Sequence, residues 1–265
     1  MTSSSPAAPW SDDLTACAEL VERGDVPRFR ATMAAPVSAR PALFALYAFN
    51  IEVSRAPWVT QEPMIAEMRL QWWRDALEEI GKGEGIRRHE VVTPLSHYLT
   101  PEGAGVLDGL IEARRWDIWK EPFEDDAHFR RYLDATSAGL LRAGAGMLGG
   151  DLPEAVAADA GFALGLAAWF RAIPELENAQ RMPLPDGRES TVRDLADEAL
   201  TRLAAARAQR GAVGKAAAPL LSLAPEAAMV LKLARKEPAR VKHAALDPAP
   251  LAARLGLLRA SLGRW

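Results

Sequence analysis

The chain has one cysteine, Cys17, and so can close no internal disulfide and build no thiolate metal cluster. A reducing compartment, the cytoplasm, is the expected setting. Its four histidines, His89, His97, His128 and His243, are scattered, with no pair at ligand spacing and no HExxH, which argues against a zinc site. Excess positive charge is missing too: the formal net charge is -3, so nothing draws the molecule to nucleic acid. Alternating strand patterns are absent, and with them any Gly-rich phosphate loop following a strand. Ser137, in Ala-Thr-Ser-Ala-Gly, lacks the preceding strand that a nucleophile elbow needs, so acyl transfer is not expected. The longest clean apolar stretch, Gly161 to Phe170, is too short to span a bilayer. Met1 to Trp10 lacks a basic n-region and a long apolar core, and is expected to be a frayed tail rather than a signal peptide.

What is present is helical periodicity. At 265 residues and 49% apolar, the chain can bury a sizeable core, and no linker divides it, so one domain over 1–265 is expected. Ser38 is placed to cap a helix carrying Leu43, Leu46, Tyr47 and Phe49 as far as Arg55, which Pro57 stops. Thr60 and Pro63 open the next, running through Trp72 and Trp73 to a glycine-rich end at Gly81, Gly83 and Gly85. Thr100-Pro101-Glu102 starts another, and a longer one is expected from about Asp126 to Met147. Pro153 to Arg171 is apolar on nearly every side and reads as a buried helix. Ser190 or Thr191 is placed to cap a helix to about Arg210, and prolines cut the remainder into short helices. The pattern predicts an all-α architecture of roughly ten helices.

Charged residues within these helices admit two readings. Arg69, Trp73 and Leu77 share a face of one helix, with Arg74 beside them. The tryptophans either fill the core, with Arg69 paired to a carboxylate, or the arginines reach a cavity, where a bidentate guanidinium suits phosphate. Glu52 is placed for an ion pair with Arg55 or Arg69, and Asp117 for a solvated pair with Arg114 three residues earlier. Leu251, Leu255, Leu258 and Leu262 form one stripe, with Arg254, Arg259 and Arg264 elsewhere. This suits either a final helix packed on the bundle or one resting on a membrane surface.

Several segments together resemble the squalene/phytoene synthase family. They are Arg40-Pro41-Ala42-Leu43-Phe44-Ala45-Leu46-Tyr47-Ala48-Phe49-Asn50, Glu62-Pro63-Met64, and Arg69-Leu70-Gln71-Trp72-Trp73-Arg74-Asp75-Ala76-Leu77. Ala135 to Leu141, Ala163-Leu164-Gly165, Phe170 to Pro174 and Leu184-Pro185 complete the likeness, which covers roughly residues 25 to 210. The resemblance implies the isoprenoid synthase fold, a helical bundle around a central cavity. It also implies, in active members, condensation of two prenyl diphosphates by acids about four apart on facing helices. Those acids hold Mg²⁺, which binds the departing diphosphate.

Both acid motifs depart from that pattern. The first reads Asn50-Ile51-Glu52-Val53-Ser54-Arg55-Ala56-Pro57 and keeps one acid. The second reads Arg171-Ala172-Ile173-Pro174-Glu175-Leu176-Glu177, with Ala172 and Leu176 where aspartates belong. Glu175 and Glu177 diverge by about 200° on a helix, and Pro174 is expected to end it. The same losses resemble the branch of the family that contains assembly factors of respiratory NADH:ubiquinone oxidoreductase.

A binding or assembly protein with no cofactor is therefore the leading expectation, its partner a respiratory-complex subunit or an apolar or prenyl ligand. The expected place is the cytoplasm, with peripheral contact at the inner membrane. Candidate cavity residues are Tyr47, Asn50, Glu52, Arg69, Trp73, Trp169 and Arg171, with Trp72 and Phe170 as further lining. One alternative is an active prenyl transferase whose Mg²⁺ is held by Glu52, Asp117, Glu175 or Glu177. The other is a lipid or quinone carrier with an open apolar pocket.

Overall fold

The computed structural model describes residues 10–60 and 62–265. The expected tail over Met1 to Trp10 lies outside the described residues except for Trp10, whose ring meets the edge of Phe44 at 6.1 Å.

No strand occurs among the described residues, and the all-α expectation holds. In chain order the helices are α1 (Asp12–Gly24), α2 (Val26–Ala34), α3 (Arg40–Arg55), α4 (Pro63–Lys82), α5 (Val92–Ser96), α6 (Pro101–Arg114) and the single turn α7 (Trp116–Trp119). They continue as α8 (Asp126–Leu133), α9 (Gly139–Met147), α10 (Glu154–Asn178), α11 (Glu189–Ala208), α12 (Ala224–Lys236) and α13 (Pro250–Ser261). A π-helical segment, Asp134–Ala138, joins α8 to α9 and widens the predicted long helix at its middle.

Several ends follow local chemistry. Thr100 Oγ1 accepts from Gly103 N at the start of α6, and Gly83, at φ 70°, closes α4. Other caps are corrected. Ser38 sits in a short 3-10 turn before α3, Thr60 Oγ1 accepts from Glu62 N ahead of α4, and α11 starts at Glu189. None of α3, α4 and α11 has a side-chain cap, so tertiary packing fixes these starts.

Helices α3 and α10 bury the most residues, twelve each. Twelve residues of α3 between Pro41 and Val53 are buried, which matches its nearly continuous apolar sequence. Helix α10 runs 25 residues and passes through Pro174 instead of ending there. It is long and apolar enough on average to cross a bilayer, but 67% of its apolar window is buried, as the sequence reading of a buried helix expects. It packs against the π segment, α11 and α12. Gly161 permits the closest approach: a Cβ there would lie 2.4 Å from Ala138 Cβ.

Candidate functional site

Between α3 and α10 lies a cavity of about 530 Å³, floored by α8 and the π segment and walled by the ends of α1 and α6. The α3 side presents Asn50 and Ser54, one turn apart, with Arg55 and Trp58 at the rim. The α10 side presents Ala168, Ala172 and Leu176 on successive turns, with Trp169 beside them and Glu175 at the exposed mouth. A smaller annex of about 110 Å³ shares Asp25, Arg28, Ser137 and Ala168 with the cavity, and is lined by Tyr47, Leu140, Leu141, Leu164 and Val230. The Asp25–Arg28 pair therefore stands where the two spaces meet.

The paired charges of this space are Asp25 with Arg28 and Asp117 with Arg114. Asp25 caps α2 by accepting from Arg28 N at 3.0 Å, and its other oxygen holds the Arg28 guanidinium. Burial works against the charge on Arg28, but Asp25 outweighs it and raises its pKa. Asp117, which the sequence suggests as a solvated partner of Arg114, is paired with it at 3.1 Å but is only 2% exposed. Tyr132 Oη donates to Asp117 at 3.0 Å, Arg114 donates to Tyr132 Oη at 2.6 Å, and Arg181 donates to the Asp117 carbonyl. Burial pushes the Tyr132 hydroxyl well above its ordinary range, although Arg114 pulls the other way. Burial likewise lowers the pKa of Arg181, whose guanidinium lies 4.5 Å from the Trp58 ring centroid. Tyr47 is pushed up to about 12, again mainly by burial.

The residues singled out by sequence are only partly brought together. Asn50 lines the cavity, and its Oδ1 is buried without a hydrogen-bond partner. Trp169 lines it too, donating Nε1–H to the Pro183 carbonyl at 2.8 Å. Tyr47 and Arg171 line the annex, where Arg171 pairs with Glu226 at 2.8 Å and Asp247 at 2.6 Å. Arg69 is exposed on α4, away from both spaces, and forms no ion pair among the described residues. Trp73 packs with Phe49 at 5.4 Å and Trp72 at 5.0 Å in the core, outside the cavity wall, and Phe170 is wholly buried. Glu52 is half-buried, outside the lining, and pairs with neither Arg55 nor Arg69. Asp25, Arg28, Arg114, Tyr132 and Trp58 were not singled out as cavity residues; only Asp25, directly before Val26-Pro27, carries a local signal, that of a helix cap.

The donor chemistry does not fit Mg²⁺. A hard divalent cation needs several oxygen ligands converging on one point. Here the carboxylate of Asp25 is held by Arg28, that of Asp117 by Arg114 and Tyr132, and Glu175 stands alone at the mouth. No group of three or more His, Cys, Asp or Glu residues is placed to share an ion among the described residues. The turns of α10 that face α3 offer Ala172 and Leu176, a methyl and an isobutyl group.

Residues 21–259 match the family model described as squalene/phytoene synthase. Among curated proteins, the chain is 32% identical over 181 residues to a Drosophila melanogaster protein named as a homolog of NADH dehydrogenase (ubiquinone) complex I, assembly factor 6, covering 63% of this chain and 52% of that one. It is 26% identical over 190 residues to the Homo sapiens protein named as assembly factor 6, covering 69% and 55%. The chain thus spans about half the length of these curated relatives. In fold it is similar to a dehydrosqualene synthase crystallised with a ligand, at TM-score 0.76 and 14% identity over 94% of this chain and 95% of that one. A squalene synthase from Alicyclobacillus acidocaldarius superposes at TM-score 0.68 and 19% identity, over 85% and 94%. The architecture is therefore the isoprenoid synthase-like bundle that the sequence motifs implied.

Proposed function

The chain belongs to the squalene/phytoene synthase family, and from that premise we propose that it is a non-catalytic member acting in the assembly of a respiratory NADH:ubiquinone oxidoreductase. One observation carries this reading: α10 turns Ala172 and Leu176 toward α3 where a diphosphate-transferring enzyme needs carboxylates. Leaving diphosphate carries several negative charges, and without metal ions its departure lacks the electrostatic stabilisation that sets the rate. The transferase alternative rests on Glu52, Asp117 and the glutamates of α10, and loses support because Glu52 lies outside the cavity and Asp117 is bound on both carboxylate oxygens. Likeness to proteins named as assembly factors supports the role in protein assembly, with oxidoreductase subunits as partners. The place of action under this reading is the cytoplasmic side of the inner membrane, through peripheral contact.

A second reading is favoured by the open space itself. A cavity of about 530 Å³ continuing into a leucine-lined annex is the size of a small-ligand site. An apolar lipid or quinone bound there needs no metal, and is compatible with assembly work.

The decisive experiment removes the gene from its own cell. The expected result is membranes with much less NADH:ubiquinone oxidoreductase, assayed by activity and by native gel, restored by the wild-type chain. Normal oxidoreductase together with altered squalene-type lipids would overturn the assembly reading.

A further inference from the structure

The leucine stripe near the C-terminus offers a choice between packing on the bundle and facing outward, and the fold settles it. Helix α13 turns its small side chains inward: Gly256 and Ala260 are buried, and a Cβ at Gly256 would come within 3.0 Å of Pro225 on α12. Trp265 is buried beyond the helix, and its carbonyl accepts from Arg207 Nε at 3.1 Å. With Gly256, Ala260 and Trp265 turned inward, Leu251, Leu255, Leu258 and Leu262 are left 70%, 48%, 58% and 73% exposed. Helix α2, which packs against α13, leaves Val26 and Met33 exposed as well.

Charge decides what covers this face. On the helical wheel Arg254 and Arg259 flank the leucines by roughly 60° and 80° on opposite sides. Both are exposed, as are Arg264 and Arg30 of α2. Residues 248–265 contain no Asp or Glu. Asp247, the nearest acid in sequence, is held by Arg171. A second copy docked on the same patch would set this arginine rim against itself, because a two-fold contact is self-complementary. An anionic bilayer offers both parts: acyl chains for the leucines and headgroup phosphates for the arginines.

We propose that α13 and the outer side of α2 form a docking face that lies in the plane of an anionic membrane. The leucines enter the acyl boundary while Arg254, Arg259, Arg264 and Arg30 engage headgroup phosphates. This face rests on the reading of peripheral membrane contact above, and not on the assembly role.

Co-sedimentation of the full chain with vesicles tests it. Vesicles of phosphatidylglycerol and phosphatidylcholine at 3:7 are expected to bind at least about tenfold more protein than pure phosphatidylcholine, since each arginine near an anionic surface contributes roughly fivefold. The double substitution Leu255→Glu and Leu258→Glu, at exposed positions that leave circular dichroism unchanged, is expected to abolish binding. Arg254→Gln with Arg259→Gln is expected to remove the preference for anionic lipid. The proposal is overturned by wild-type protein that ignores anionic vesicles, or by leucine variants that bind as well as wild type. It is equally overturned by a wild-type dimer on gel filtration that the leucine substitutions split while vesicles stay unbound. A deletion strain reads the assembly role separately: lost oxidoreductase alongside protein that ignores vesicles would sink the docking face alone.

Discussion

Asp117 shows how much a single position depends on its surroundings. An acid three residues after Arg114 suggests a surface pair of little energetic weight. Burial changes its weight, because Asp117 is the common acceptor for Arg114 and Tyr132 in the wall of the cavity. Removing it strands the Arg114 charge in a half-buried site. Asp117→Ala is therefore expected to cost about 3 kcal/mol, seen as a lowered urea midpoint at unchanged slope. A loss under about 0.5 kcal/mol would mean that water replaces the carboxylate. Asn50 is the opposite case: a polar group on α3 that faces the cavity with its carbonyl oxygen unpartnered, a pairing the helix pattern alone does not reveal.

At the scale of elements, α10 overrides its own sequence. Pro174 removes one backbone donor, yet the helix continues to Asn178 because its last turns bury Ile173 and Leu176. Its middle depends on glycine. Gly161 and Gly165 lie against the π segment, and Ser137 Oγ donates to the Gly161 carbonyl at 2.7 Å. A methyl group at Gly161 would meet Ala138 Cα at 2.5 Å, and backbone cannot move aside as a flexible side chain does. Gly161→Ala is expected to destabilise by about 2–3 kcal/mol. Gly105→Ala on α6 has nothing within 4 Å of the new Cβ and is expected to stabilise by about 0.5–1 kcal/mol. Thermal unfolding of the two variants side by side checks both signs. Equal shifts would deny the close crossing of α10 and the π segment.

For the whole molecule, the balance of charge around the cavity sets the expectation. Arg28, Arg55 and Arg114 face it, and two of its three acids, Asp25 and Asp117, are already engaged by arginine. Titration calorimetry with a non-hydrolysable farnesyl diphosphate analogue is expected to give the same heats with and without Mg²⁺. Binding that tightens tenfold or more on adding Mg²⁺ would count against a non-catalytic role and call for a search for products.

The helical class is legible from the residues alone, because 3.6-residue periodicity is local and survives whatever packs against it. The residues also show that acids spaced four apart are missing from both motifs, since that spacing belongs to a single helix. Which face of each helix points where depends on what packs against it. Glu52 and Asn50 are two residues apart on α3, and packing turned only Asn50 to the cavity. Arg69 and Trp73 share a helix face in the sequence pattern, yet one is exposed and the other buried. The leucines of α13 could have closed onto the bundle, but small residues at Gly256 and Ala260 fit more tightly against α12, and the stripe was left outward. A helix offers several faces at similar local cost, and only the shape of its neighbours selects among them.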